Sequence, residues 1–207
     1  MPRRKRALPH LLAESLNLTN IIFEKPDNIL EFGVWEGFTY DWLARNMKDQ
    51  SNLWGFDSFQ GLPEETEGVW KPDRHNAGLW AAPRSDVDSY IADLPETTSA
   101  RCHIVEGWFE DVLTIELQKT IRSCALVNID VDLYTSSISV LNFIKPLLQV
   151  NTILYWDDWK DPRDKYEGKW GEHLAFEQWS SENPEFSFET LKVNKYNQRI
   201  MICRGVG

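Results

Sequence analysis

Short apolar runs that end in an acid alternate along the chain with segments whose apolar residues recur every three or four positions. The short runs read as buried strands and the periodic segments as helices. A first helix is expected over Leu11–Glu24. Asn28–Phe38 (NILEFGVWEGF) follows as a strand, a tight turn between Gly33 and Gly37, and the start of a helix running from Phe38 to Lys48. Asn52–Asp57 (NLWGFD) is the second strand and Cys102–Glu106 (CHIVE), ending at Gly107, the third. Ala125–Asp130 (ALVNID) is the fourth, and Thr152–Trp156 (TILYW), closing on Asp157, the fifth. Helices are predicted at Asp86–Leu94, Phe109–Arg122, Ser136–Leu148 and Glu172–Ser181. Ser187–Val193 and Arg199–Arg204 complete the chain as strands joined through a hairpin at Asn194–Gln198.

Five strands alternating with helices predict an α/β fold, a single Rossmann-like, doubly wound and mostly parallel sheet with a C-terminal antiparallel hairpin. With no repeat and no linker, residues 1–207 read as one domain, in which 1–27 form an N-terminal tail and helix. Ser58–Arg84 is rich in Gly, Pro and charge and carries Trp70 and Trp80, so it reads as a lid-like insertion.

Ligands of such sheets sit beyond the carboxyl ends of the strands. Glu31, Asp57, Glu106, Asp130 and Asp157 all fall at such ends, which scaffold needs alone do not explain. At the first turn the glycines let backbone approach a ligand, and the following helix offers unpaired N–H groups. Glu31 and Glu36 make this turn a poor cradle for pyrophosphate and a better one for a ligand with a cationic centre and hydroxyls. Asp57 lies 20 residues beyond Gly37, the spacing at which an acid accepts hydrogen bonds from ribose hydroxyls.

Neighbouring strand ends lie about 5 Å apart. If the fourth and fifth strands pair, Asp130, Asp157 and Asp158 converge on one point. Crowded carboxylates raise each other's pKa unless a cation intervenes, and a hard divalent ion such as Mg²⁺ relieves that. The same acids also suit helix caps, the role expected of Asp132. Among His10, His75, His103 and His173 there is no metal-ligand spacing; His103 reads as a core residue, and His75 and His173 as surface residues within reach of the site.

Composition narrows the function classes. The 207 residues are 42% hydrophobic and 26% charged, as in a folded globular protein. A formal charge of −10 disfavours nucleic acid as a partner. No apolar run is long enough to predict a membrane span. Pro2–Arg6 reads as a solvated tail rather than a signal peptide. Cys102, Cys124 and Cys203 form no CxxC pair, which fits reduced thiols in a cytoplasmic protein. Trp35, Trp108, Trp156 and Trp159, near strand ends, suggest a pocket for a flat or apolar ligand.

Glu31-Phe-Gly33-Val-Trp-Glu-Gly37, Asp57-Ser-Phe-Gln-Gly-Leu-Pro63-Glu64, Gly107-Trp-Phe109-Glu-Asp111, Asp130-Val-Asp132-Leu-Tyr134 and Asp157-Asp158 occur in this order. Together they resemble the macrocin O-methyltransferase family, over roughly Asn28–Trp159. The resemblance implies the class I S-adenosylmethionine-dependent fold and methylation of a hydroxyl of a sugar or other small natural product. Glu31, Phe32, Gly33 and Gly37 would hold the methionine part of S-adenosylmethionine. Asp57 would take the ribose, with Ser58, Phe59 and Gln60 around it, and Gly107 and Trp108 would border the adenine, with Asp130 also near the cofactor. Asp130, Asp157 and Asp158 would bind Mg²⁺. On the mechanism this site suggests, rather than from the resemblance, Asp130 or Asp158 takes the acceptor's proton, or His173 if its loop folds inward. The lysine of metal-dependent catechol methyltransferases has no counterpart here, its place being Leu133. The resemblance also allows a homo-oligomer.

Other readings remain open on sequence. A nicotinamide-dependent oxidoreductase would use the same glycines and Asp57 but lacks the third glycine of its fingerprint. A haloacid-dehalogenase-type phosphatase also uses DxD, but after its first strand. A catalytically inactive cofactor-binding module of the same fold is the non-enzyme alternative.

Overall fold

The computed structural model describes residues 8–67, 76–159 and 171–206. Pro2–Arg6, Trp70 and His75 lie outside the described residues. Strands β1 (Asn28–Phe32), β2 (Asn52–Asp57), β3 (Cys102–Glu106), β4 (Leu126–Ile129) and β5 (Ile153–Trp156) run parallel. β6 (Ser187–Val193) and β7 (Arg199–Gly205) form the antiparallel hairpin, and β7 pairs with β5. The seven strands lie in the order β3-β2-β1-β4-β5-β7-β6. The winding therefore reverses between β1 and β4, which opens a crevice at their carboxyl ends.

Alternation along β1 builds a core on each face. Leu30 and Phe32 point to one side, where Phe32 stacks on Phe56 at 4.6 Å and meets Phe109 and Phe143 edge-on. Helices α6 (Ile115–Ile121), α7 (Tyr134–Ile144) and α8 (Gly171–Glu182) cover this side. Ile29 points the other way, into Leu12, Tyr40 and Leu43 of α1 (His10–Ile22) and α2 (Phe38–Asn46), with Val87 of α3 (Arg84–Ala92) beside them. β4 and β5 are buried at every position because both faces are covered. Truncating a fully buried ring such as Phe32 would cost about 3–5 kcal/mol.

Several boundaries differ from the sequence reading. The helix expected over Phe109–Arg122 is two, α5 (Phe109–Val112) and α6, because the chain leaves helical geometry at Leu113 and Thr114 recaps it through Leu117 N–H at 3.3 Å. A short α4 (Glu96–Ser99) was not foreseen; it buries no side chain, so it has no apolar signal. α7 starts two residues earlier than expected and passes into a 3₁₀ turn at Lys145–Leu147, where Pro146 removes a helical donor.

The described limbs of the inserted segment after β2, 58–67 and 76–83, bond to each other. Leu62 N–H donates to the Leu79 carbonyl at 2.8 Å and Gly78 N–H to the Leu62 carbonyl at 2.9 Å. A Cβ on Gly61 would lie 2.5 Å from the Leu79 oxygen, so only glycine fits where the two limbs cross. At its far side Glu65 accepts the Thr135 N–H at 3.1 Å, tying the segment to the start of α7.

Candidate active site

The crevice at the β1/β4 switch holds a cleft of about 560 Å³. Its walls come from the loops after β1, β2, β3, β4 and β5 and from the insertion. Gly33, with φ 85°, crosses the end of β4 so closely that a Cβ would sit 1.8 Å from the Asp130 carbonyl oxygen. The turn that follows is closed by Asp57. Its Oδ2 accepts Val34 N–H at 2.8 Å and Trp35 N–H at 2.7 Å, and its Oδ1 accepts Phe59 N–H at 2.7 Å. Oδ1 keeps one acceptor position, enough for a ligand hydroxyl. Trp35, Trp80 and Asp132 line the cleft in left-handed backbone conformations (φ 50°, 62° and 60°). Such strain gathers at functional sites.

Past the turn the cleft floor is acidic. Asp130 follows β4, and Asp157 and Asp158 follow β5, and each offers an oxygen within 4.8 Å of the others. Burial, then mutual repulsion with Asp132 and Glu172 nearby, pushes Asp130 and Asp158 well above the usual carboxylate range. Burial also raises Asp157, but the Tyr155 hydroxyl and Gln198 Nε2, the latter at 2.6 Å, donate to its Oδ1 and stabilise the anion. A group of half-buried acids held against its own repulsion fits a divalent cation with oxygen ligands. Glu172 stands directly behind it. Its Oε1 accepts Val131 N–H at 3.2 Å and its Oε2 accepts Asp158 N–H at 3.1 Å.

Of the residues singled out on sequence, Gly33, Asp57, Ser58, Gly107, Trp108, Asp130, Asp157 and Asp158 meet around this cleft. Glu31, Phe32, Gly37, Phe59, Gln60 and His173 do not line it. Phe32 is wholly buried in the core. Glu31 points to the α2 face, where the Thr39 hydroxyl and Asn128 Nδ2, at 3.1 Å, donate to Oε1. Its Oε2 meets no donor among the described residues, and burial pushes its pKa up to about 8. Gly37 packs against Val87 and Tyr90 of α3. His173 stacks on Trp159 at 4.9 Å and contacts Glu177 through Nε2 at 3.0 Å. Glu106 at the end of β3 is exposed and pairs with Arg84 at 3.3 Å. Tyr155, Glu172 and Gln198 escaped sequence reading. Glu172 looked like an ordinary acid of a first helical turn, and Gln198 like any polar residue of a hairpin loop.

A mostly parallel sheet of this order with an antiparallel end, and a cleft at its switch point, define the class I methyltransferase fold. The chain belongs to the Methyltransferase domain family, whose model matches residues 30–159. It is 27% identical over 160 residues to demethyldecarbamoylnovobiocin O-methyltransferase of Streptomyces niveus, covering 70% of this chain and 59% of that protein. It is also 27% identical over 161 residues to the 8-demethyl-8-(2,3-dimethoxy-alpha-L-rhamnosyl)-tetracenomycin-C 4'-O-methyltransferase of Streptomyces olivaceus, covering 70% of this chain and 60% of that protein. The chain thus spans about three fifths of the length of these relatives. The solved structure of the O-methyltransferase NovP superposes with a TM-score of 0.71 at 21% identity, covering 94% of this chain and 79% of that one. Among the described residues no helix is long and apolar enough to cross a membrane.

Proposed function

We propose that this protein is an S-adenosylmethionine-dependent O-methyltransferase, assisted by a divalent cation such as Mg²⁺, that acts on a hydroxyl of a sugar or glycosylated natural product. One observation carries the reading: the Asp57-closed turn and the Asp130, Asp157, Asp158 group face the same cleft. The two Streptomyces relatives, O-methyltransferases of a demethyldecarbamoylnovobiocin and of a rhamnosyl-tetracenomycin, support the same reading.

In this reading the main chain at Gly33 and the free acceptor position of Asp57 hold the cofactor, with Ser58, Gly107 and Trp108 around it. Bound S-adenosylmethionine would supply an electrophilic methyl group for in-line displacement. A divalent ion held by Asp130, Asp157 and Asp158 would supply Lewis acidity that makes an acceptor hydroxyl easier to deprotonate. In this reading Asp130 or Asp158 would accept that proton, whereas the His173 ring is engaged with Trp159 and Glu177. Trp80 of the insertion, set edge-on to Trp35 at 5.1 Å, would form one wall of the cleft beside the reacting atoms.

Calorimetric titration with S-adenosylhomocysteine and with NAD, each with and without Mg²⁺, tests the class. Micromolar binding of the first and none of the second is the expected result. Binding of NAD alone would move the protein to the oxidoreductases, and binding of neither would make it an inactive module of the fold.

A further inference from the structure

Glu172 is fully buried, and both of its oxygens face main-chain N–H groups rather than the cleft. The two donors are not arbitrary. Val131 directly follows Asp130, and Asp158 is itself a member of the acidic group. One side chain therefore bridges the loop after β4 to the loop after β5, the two segments that carry all three clustered aspartates. The helix bearing it is pressed into place beside them. Gly171, with φ 49°, has room for no Cβ, since one would lie 2.3 Å from the Asp132 carbonyl oxygen.

A buried carboxylate beside three others is costly unless its placement brings a gain. Hydrogen bonds to two main-chain N–H groups are short-range and directional. They fix how far apart the two loops sit, and so the spacing of the oxygens that face the cleft. We propose that Glu172 is a positioning residue that sets the separation of Asp130 and Asp158 for a divalent cation. It is not a further ligand, because its carboxylate is aimed at the main chain. The inference rests on the metal-assisted reading of the cleft.

Two variants separate position from charge. Glu172→Gln keeps the length but offers a single oxygen to the two N–H groups. Glu172→Asp keeps the charge but is one methylene too short to span both. Mn²⁺ affinity is read by calorimetry, S-adenosylhomocysteine affinity on the same samples, and turnover over a range of Mg²⁺ concentrations. Both variants should bind Mn²⁺ about 10–100-fold more weakly, the usual cost of losing a residue that orients metal ligands. S-adenosylhomocysteine should bind as in the unaltered protein, and excess Mg²⁺ should restore turnover. If Glu172→Asp binds Mn²⁺ normally, charge alone matters and the inference is overturned, as it is if Glu172→Gln does. Should either variant fold poorly, Gly171→Ala leaves Glu172 intact while pushing its helix from the Asp132 loop, and must show the same selective loss. If the unaltered protein binds S-adenosylhomocysteine but no divalent cation, the metal reading fails, and that outcome is distinct from failure of the Glu172 role.

Discussion

The carboxylate of Asp57 accepts the main-chain N–H groups of both Val34 and Trp35, so the end of β2 holds the turn after β1 in shape. Trp35 is left-handed at φ 50°, a conformation a bulky residue keeps only when neighbours impose it. Asp57 thus has a structural task beside the ribose contact proposed for it. Asp57→Ala removes three charge-assisted hydrogen bonds, each worth about 1.5–3 kcal/mol in such settings. Calorimetry should show S-adenosylhomocysteine affinity lowered by well over tenfold, and melting should show a lower midpoint. A role confined to ribose contact would leave the midpoint unchanged.

Glu31 makes stability depend on pH in a defined direction. Burial raises its pKa from 4.5 to about 8 in the folded protein, so the native state holds a proton that the unfolded chain releases. Stability is then undiminished below about pH 4.5, falls as pH rises toward 8, and loses no more beyond it. Glu31→Gln resembles the protonated acid and lacks this dependence. Relative to the unaltered protein, it should gain at least about 1 kcal/mol between pH 5 and pH 8 in urea unfolding. An equal difference at both pH values would show that Glu31 is ionised in the fold.

How much of this was legible in the sequence follows from the range of each signal. β4 and β5 are short apolar runs with acids at their ends, and burial on both faces leaves that pattern plain. The acids of the cleft were legible for the same reason, since they stand where strands stop. Glu31 misled because one residue of register sends its side chain to the α2 face rather than the cleft. The partners that shape the group are far away along the chain. Gln198 reaches Asp157 across 41 residues, and Glu172 reaches Val131 across 41. Such contacts are set by the docking of whole elements and leave no local periodicity.

The raised pKa values of Asp130, Asp157 and Asp158 predict that a divalent cation displaces protons when it binds. The cation takes the ionised form, so its affinity should go on rising with pH above the usual carboxylate range. Mn²⁺ titrations in buffers of different ionisation enthalpy should report net proton release, abolished in Asp130→Asn/Asp157→Asn. Binding without proton release would mean that the group is already ionised when empty.

The insertion is tied down at a point remote from its own strand. Glu65 accepts the Thr135 N–H at the first turn of α7, where an anion also meets the favourable end of the helix dipole. Capping contacts of this kind contribute about 0.5–2 kcal/mol. Glu65→Ala should therefore free the segment that carries Leu62, Pro63 and Thr66 along the cleft. Limited proteolysis should cut between residues 58 and 83 several-fold faster. The acceptor KM should rise by a similar factor, with S-adenosylhomocysteine affinity little changed because the turn closed by Asp57 is untouched. Equal weakening of both ligands would place the insertion over the whole cleft rather than over its acceptor end.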